Sequence, residues 1–412
     1  MQNTYPRVSI LVLSYKNTQY LNDCLDSIFS QAYPNIEIIC SNDGCDTFDS
    51  DAILEYINNH KSKNITNVIM NKNSTNLGTV RHCNKLLGMA TGDYIMFIAC
   101  DDCYNNEMSV YDMVNGFGRA PEGVYSIAGQ TNMMNTDLTK TLWHFTNDEM
   151  KIKINELTPQ ELYKNHLAIK AVFIGGGVIY KKEVFEKFGK FDEAFFLLED
   201  WTSAIKFAKA GMRTYYLDIN VLNHRAGGMS SAQMDSESFA HKMYTKDYIV
   251  LLSRIIMDKT LSDEVMQKVR SEFAFKTHLF AKVFDKNILT ELSIDKIFAN
   301  YIEHNDTESN FVNTNNKMTC IIFGCKFADT ILDLSGEHFD FIGFVDNDSN
   351  LKGKEINTKP ICEPDAIGRS IPVPDAIIIY SRRYQDEMAK QIKGLNIKSK
   401  ILIPIFDFTK KV

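Results

Sequence analysis

Residues 8–17 read VSILVLSYKN, and the fold turns on the first six of them. Val8 to Leu13 is an unbroken apolar run, the pattern of a strand buried on both faces of a parallel sheet; a half-exposed strand would alternate. Working outward, the helical spacing of Leu21, Cys24, Leu25 and Ile28 predicts a helix capped at Asn17 or Thr18. Ile36 to Cys40 reads as a second strand running into Ser41-Asn42-Asp43-Gly44, Asp51 to His60 as a helix, and Val68 to Asn71 as a third strand. Val80, Cys83, Leu86 and Leu87 mark a further helix ended by Gly92, and Tyr94 to Cys100 is a fourth strand. Strands alternating with helices in this way predict a parallel α/β unit with right-handed crossovers. Ligands of such sheets bind beyond the carboxyl ends of the strands, where strand order switches. Ser14 to Lys16, Asn42 to Cys45 and Asp101-Asp102 are therefore expected to converge on one crevice.

The next stretch is mixed. It holds a strand at Val124 to Gly129, a capping box at Thr158-Pro159-Gln160-Glu161, and a run from Ala171 to Tyr180 around Gly175-Gly176-Gly177. Glu199-Asp200 opens a helix with Trp201, Ile205 and Ala208 inward and Gly211 at its close, and Arg213 to Leu217 returns as a strand. From Ser236 to Asn305 the pattern is helical without strand signals, and Thr307 to Asn316 reads as a linker. After it the α/β signal restarts, with strands at Met318 to Gly324, Phe341 to Val345 and Ala376 to Tyr380 and a helix at Phe327 to Leu334. A chain of 412 residues, at about 150 per domain, accommodates such a division. The expected parts are 1–232, an α/β domain; 233–308, a helical segment; and 317–412, a small Rossmann-like domain.

Composition narrows the function classes. Hydrophobic residues at 44% and charged residues at 24% suit a soluble globular chain. The net charge of −7 supplies no positive field, which argues against a nucleic-acid partner. No run of about 18 apolar residues occurs, and the N-terminus lacks a signal pattern. A cytoplasmic location follows as the expectation, with peripheral contact at the inner face of a membrane compatible with it. The nine cysteines fit free thiols better than a disulfide framework. Cys100 and Cys103 form a C-x-x-C without a second pair, since Cys40 and Cys45 have the wrong spacing, so ordinary packing is the reading there.

Five segments in order, VSILVLSYKN (8–17), IEIICSNDGCD (36–46), NLGTVRHCN (76–84), YIMFIACDD (94–102) and FDEAFFLLEDW (191–201), resemble glycosyltransferase family 2, inverting enzymes of the GT-A fold. The resemblance covers about residues 6 to 230. It implies a sugar moved from a UDP-sugar donor to a hydroxyl of a glycan or glycoconjugate acceptor, as in polysaccharide biosynthesis, with Mn²⁺ or Mg²⁺ as cofactor. In that setting Asp43 accepts the uracil N3–H, an acceptor-only carboxylate suiting an imide donor; a turn-forming Asp before Gly is the structural alternative. Ser14 and Tyr15 line the base and ribose pocket, and Asn76 and Gly78 form a turn near the pyrophosphate. The usual D-x-D-D falls on Ala99, Cys100, Asp101 and Asp102. Asp101 then contacts metal and nucleotide, Ala99 leaves out the first acid, and Asp102 is a second ligand or a helix-capping acid.

The same resemblance makes Asp200 the general base that deprotonates the acceptor hydroxyl, with Glu199, Trp201 and Gly176 near the sugars and His224 a further metal ligand. Arg225 is the alternative phosphate partner, and the Gly/Ser-rich stretch after it suits a closing loop. The missing acid at Ala99 supports a rival reading, a non-catalytic nucleotide-sugar-binding or scaffold protein of a glycan-assembly complex. A second rival is an oxidoreductase using the C-terminal domain. It is opposed by the turn Gly324-Cys325-Lys326-Phe327-Ala328-Asp329, which lacks the later glycines of G-x-G-x-x-G; docking or homo-oligomerisation is the better expectation for that domain.

Overall fold

The structure is a computed structural model and describes residues 5–227, 238–284, 298–303, 317–335, 339–381 and 384–407. It divides into two compact units, Met1–Val265 and Met266–Val412. The first opens with strand β1 (Val8–Ser14), helix α1 (Leu21–Phe29), β2 (Ile36–Asn42), α2 (Ser50–His60), β3 (Ile65–Lys72), α3 (Thr79–Leu87) and β4 (Tyr94–Ala99). It continues through β5 (Cys103–Tyr104), α4 (Ser109–Arg119), β6 (Val124–Met134), β7 (Thr141–His144), α5 (Asp148–Glu156), α6 (Pro159–Leu162), β8 (Val178–Lys181), α7 (Glu183–Lys187), α8 (Glu199–Lys209), β9 (Arg213–Arg225) and α9 (Phe239–Ile256).

The α/β class read from the sequence is the class observed. Strand β1 pairs in parallel with β2 on one side and β4 on the other, and β3 extends the sheet beyond β2. The sheet runs β3-β2-β1-β4-β8-β6-β9-β5, with β7 added to β6. Its second half is mixed, β8 lying antiparallel to both β4 and β6 while β9 runs parallel to β6. Val8, Ile10, Leu11 and Val12 have no exposed surface, as a central strand covered on both faces requires. Because β2 and β4 flank β1, strand order reverses there, and the carboxyl ends of β1, β2 and β4 open one crevice.

Several expectations change. Helix α1 begins at Leu21 behind Tyr20, which makes no side-chain cap; Asn17 Oδ1 instead accepts the Gln19 N–H at 3.0 Å, one turn too early to cap the helix. Strand β9 continues to Arg225, so His224 stands inside a strand instead of after one. The helical stretch expected over 233–308 is no separate part: α9 belongs to the first unit, and α10 (Asp263–Val283) lies largely in the second. A strand, β10 (Phe298–Glu303), follows where no strand signal was read. Residues 228–231 of the Gly/Ser-rich stretch and the linker 307–316 lie outside the described residues.

The second unit goes on through β11 (Met318–Phe323), α11 (Ala328–Ser335), β12 (Phe339–Val345), β13 (Glu355–Ile356), β14 (Lys359–Cys362), β15 (Ala376–Ile379), α12 (Gln385–Gly394) and β16 (Lys400–Asp407). Its sheet order is β10-β16-β15-β11-β12-β14-β13, with the central strands parallel, a Rossmann-like arrangement. Among the described residues, no helix is long and apolar enough to cross a membrane.

One buried acid locks the edge of the first sheet. Glu37 on β2 is fully buried and receives Ser9 Oγ, the Thr91 N–H, Thr91 Oγ1 and Asn67 Nδ2 at 2.6–2.8 Å. Burial alone would raise its carboxyl, but the hydrogen bonds outweigh burial and hold it below its ordinary value. A depressed folded value means that the stabilisation is fully present above the unfolded value of about 4.3 and is lost as pH falls through the folded one. Glu37→Gln should therefore lower stability by about 1–3 kcal/mol at pH 7, and the gap from wild type should narrow under acid conditions, as read by denaturant unfolding at a series of pH values.

Candidate functional site

Asp43 follows β2 and is 3% exposed. Its Oδ1 accepts Asn73 Nδ2 at 2.8 Å and the Leu77 N–H at 3.0 Å, and its Oδ2 accepts the Gly78 N–H at 3.0 Å. The carboxylate thus holds the loop 73–78 against the end of β2 and has about one of its four lone-pair sites left over. Asn76 Oδ1 also accepts the Gly78 N–H, at 2.9 Å. Gly78 has φ +79°, and a Cβ there would stand 2.6 Å from the Phe196 carbonyl oxygen, so glycine is required twice over. Ser14 is a second internal tie: its hydroxyl donates to the Ser41 carbonyl and accepts Asn42 Nδ2, both at 3.0 Å. Tyr15 is half-buried, with the Lys16 ammonium 5.3 Å from its ring centre.

At the end of β4 the two acids divide their work. Asp102 is buried; its Oδ2 lies 3.0 Å from His224 Nδ1 and its Oδ1 accepts the Arg225 N–H at 3.0 Å. With Nδ1 on a carboxylate, His224 is fixed in orientation and its Nε2 is left for another partner, the arrangement of an oriented imidazole ligand. Each Asp102 oxygen is thus engaged, one by the imidazole and one by a backbone N–H. Burial would lower the His224 imidazole, but the charge and hydrogen bond of Asp102, with Asp101 and Asp200 beyond, push it up to about 9. The Asp101 carboxyl is raised, first by burial and then by Asp102 beside it.

Arg225 does not face a phosphate. Its guanidinium is buried, donating to the carbonyls of Asp101 at 2.8 Å and Thr136 at 2.6 Å and to Asp23 Oδ2 at 2.9 Å, and it lies 3.8 Å from the Tyr20 ring centre. It anchors the backbone of Asp101 to α1 and to the loop after β6.

Glu199 and Asp200 open α8, both half-buried. Burial, then the charge of Asp200, pushes Glu199 up to about 8. Burial raises Asp200 too, but the N–H groups of Trp201 and Gly175 and the charge of His224 pull the other way. Both carboxyls of the pair therefore hold a proton more tightly than an exposed acid does, Glu199 with the repulsion of Asp200 added to its burial. The glycine run crowds this spot: a Cβ on Gly175 would stand 3.3 Å from Asp200 Cβ, and one on Gly176 2.7 Å from Leu222 Cδ2. Trp201 is not a sugar surface, because it is 3% exposed, its indole N–H donates to the Leu167 carbonyl at 2.7 Å, and its ring packs on Tyr248.

The chain's other tryptophan has the better position. Met133 on β6 pairs with Trp143 on β7 and with His224 on β9, so the three side chains stand in a row on one sheet face, and Trp143 is half-buried. Trp143 carries no motif in the sequence; it stands in the short run Leu142-Trp143-His144-Phe145.

Among the described residues, no group of three or more His, Cys, Asp or Glu side chains is placed to hold a metal ion. The Asp101 carboxylate and His224 Nε2, the latter only once a cation has displaced its proton, could hold a divalent ion if substrate oxygens and water complete the shell.

Residues 9–189 match the family model for glycosyl transferase family 2. A putative glycosyltransferase, EpsH, of Bacillus subtilis is 41% identical over 97 residues, 24% of this chain and 26% of that protein. A poly(ribitol-phosphate) beta-glucosyltransferase of Bacillus spizizenii is 24% identical over 167 residues, 39% of this chain and 25% of that protein. The matched segments thus span about a quarter of these relatives. Among solved structures, residues 1–349 of S. aureus TarS align with a TM-score of 0.45 at 16% identity, covering 69% of this chain and 74% of that one.

Arg225→Lys should lower stability by about 2 kcal/mol in denaturant unfolding, because one ammonium cannot serve two carbonyls and a carboxylate together as the guanidinium does.

Proposed function

We propose that this chain, whose residues 9–189 match the family model for glycosyl transferase family 2, moves a sugar from a UDP-sugar to a hydroxyl of a glycan acceptor, with inversion and with Asp200 as the base. The observation that carries the reading is the placement of Glu199 and Asp200 side by side at the start of α8, with Gly175 close against Asp200 and His224 within electrostatic reach. One ionised carboxylate and no covalent intermediate suffice for a single displacement. Asp200 takes the proton from the acceptor oxygen as it attacks the anomeric carbon, and Glu199, holding its own proton, stays neutral beside it. Activity should therefore rise with pH through the raised Asp200 value.

Asp101 and His224 are the residues that would hold Mn²⁺ or Mg²⁺, which when bound supplies positive charge to the leaving diphosphate. Asp102 keeps the imidazole aimed, and Arg225 keeps the Asp101 backbone from drifting. Asp43 holds the loop of Asn76 and Gly78 at the donor side, and its remaining lone pair is the place for an imide N–H. Trp143 offers an aromatic face on the same side of the sheet as His224, suited to the apolar face of an acceptor sugar.

A thermal-shift panel of UDP, GDP and CMP sugars with and without Mn²⁺ should show the largest shift for a UDP-sugar with metal. Asp200→Asn should reduce UDP release at least 10³-fold, on the order expected for loss of a general base, with UDP affinity kept. Full turnover in that variant would sink the assignment, and wild-type binding of UDP-sugars without turnover would point to the non-catalytic reading that Ala99 favours. Trp143→Ala should raise the acceptor KM about tenfold with little change in donor KM.

A further inference from the structure

The turn that delivers the acidic pair into α8 is not held by its neighbours in sequence. Leu198 stands at the N-cap position and makes no side-chain cap hydrogen bond. Instead the N–H groups of Phe196, Leu197 and Leu198 all point at one atom, Oδ2 of Asp247 in α9, at 2.8, 2.6 and 3.2 Å. Asp247 is 5% exposed. Three consecutive backbone amides converging on an anion form a nest, here filled by the protein's own carboxylate. The opposite side of the turn is gripped as well: the Phe196 carbonyl accepts the Val80 N–H of α3 at 3.3 Å and abuts Gly78. Next to Asp247, Tyr248 packs its ring 5.1 Å from that of Trp201, so α9 meets the first turn of α8 by an apolar contact as well.

We propose that Asp247 is the positioning residue of the Glu199–Asp200 pair, fixing through residues 196–198 where the base stands. The inference rests on the reading of Asp200 as base. Asp247 lies 58 residues beyond the stretch that matches the family model, which ends at 189. Its charge acts on Glu199 in the same direction as that of Asp200, favouring the proton there. A displacement of about 1 Å at a reacting group is enough to lose on the order of 10² in rate, so a hold on the backbone two residues away is felt in turnover.

The test uses the full chain carrying Asp247→Ala, Asp247→Asn or Asp200→Asn, with three readouts: amide hydrogen exchange at 196–198, UDP released from UDP-glucose or UDP-N-acetylglucosamine, whichever the chain consumes, and UDP affinity with Mn²⁺. Asp247→Ala should exchange faster at those amides and lose about 10²-fold in kcat with UDP affinity within about twofold of wild type. Asp247→Asn keeps an acceptor oxygen and should recover both exchange protection and kcat to within about tenfold. Where the alanine variant does not fold, Asp247→Ser, whose hydroxyl falls short of the turn, replaces it with the same expectation. Unchanged exchange and kcat in Asp247→Ala, or a loss of UDP affinity as large as the loss of kcat, would overturn the proposal. If Asp200→Asn is inactive in the same experiment, the base reading survives that outcome; if Asp200→Asn turns over normally, the base reading fails on its own account.

Discussion

A carboxylate taken out of water must find donors or give up its charge, and this constraint organises the first unit. Glu37, Asp43, Asp102 and Asp247 are all buried. Each draws at least one backbone N–H from a remote segment: Thr91 for Glu37, Leu77 and Gly78 for Asp43, Arg225 for Asp102, and residues 196–198 for Asp247. A backbone donor has no rotamer to change, so a loop that supplies one is fixed relative to the acid. Four such ties therefore determine where the ends of β2 and β4, the loop before α3 and the start of α8 stand.

The remaining acids are of another kind. Asp101, Glu199 and Asp200 are only half-buried and sit close to like charge, and burial with repulsion raises them, as burial raises Asp247 in spite of its three amides. Asp200 already accepts the Trp201 N–H at 2.6 Å, so what distinguishes these three is the surface they keep exposed. The buried ties and the open acids need each other. Like charges this close would drift apart on a loose backbone, and the ties fix the segments that carry them. Arg225 does the same for Asp101 from the backbone side, and for that reason its charge is not available to a diphosphate.

Strands β1 and β4 were legible in the sequence because burial on both faces leaves no room for polar residues, and the order of strand-end acids followed from them. The second half of β9 was not. Residues 218–225 read DINVLNHR, too polar for a strand by pattern, yet Asn223 pairs with Asn132 on β6 at 2.9 Å and His224 with Asp102, so the polar groups are satisfied across strands. Strand β10 is antiparallel to β16, about a hundred residues onward, and local periodicity carries no trace of that pairing. Asp43 was readable as an acid that matters, but the three donors that occupy it come from residues 73–78 and emerge only with the fold. Asp247 had no motif at all, since its role lies in a contact with residues some fifty positions earlier. Between the two tryptophans the helix spacing already placed Trp201 inward, whereas the open row at Trp143 depends on sheet register.

The same rule about buried acids bears on the second unit. In Rossmann-like sheets the acid at the end of the second strand meets a ribose, and Asp346 stands at that place after β12. Its Oδ2 accepts the Cys325 N–H at 2.6 Å and its Oδ1 the Asp348 N–H at 2.9 Å, so the carboxylate ties the turn after β11 to the end of β12. A dinucleotide would have to displace the first of these bonds while also passing a turn with Gly324 as its single glycine. The oxidoreductase reading thus loses both of the groups it would need, the glycines by sequence and the acid by hydrogen bonding. In each unit an acid just beyond a parallel strand, Asp43 after β2 and Asp346 after β12, is spent on holding a neighbouring turn in place.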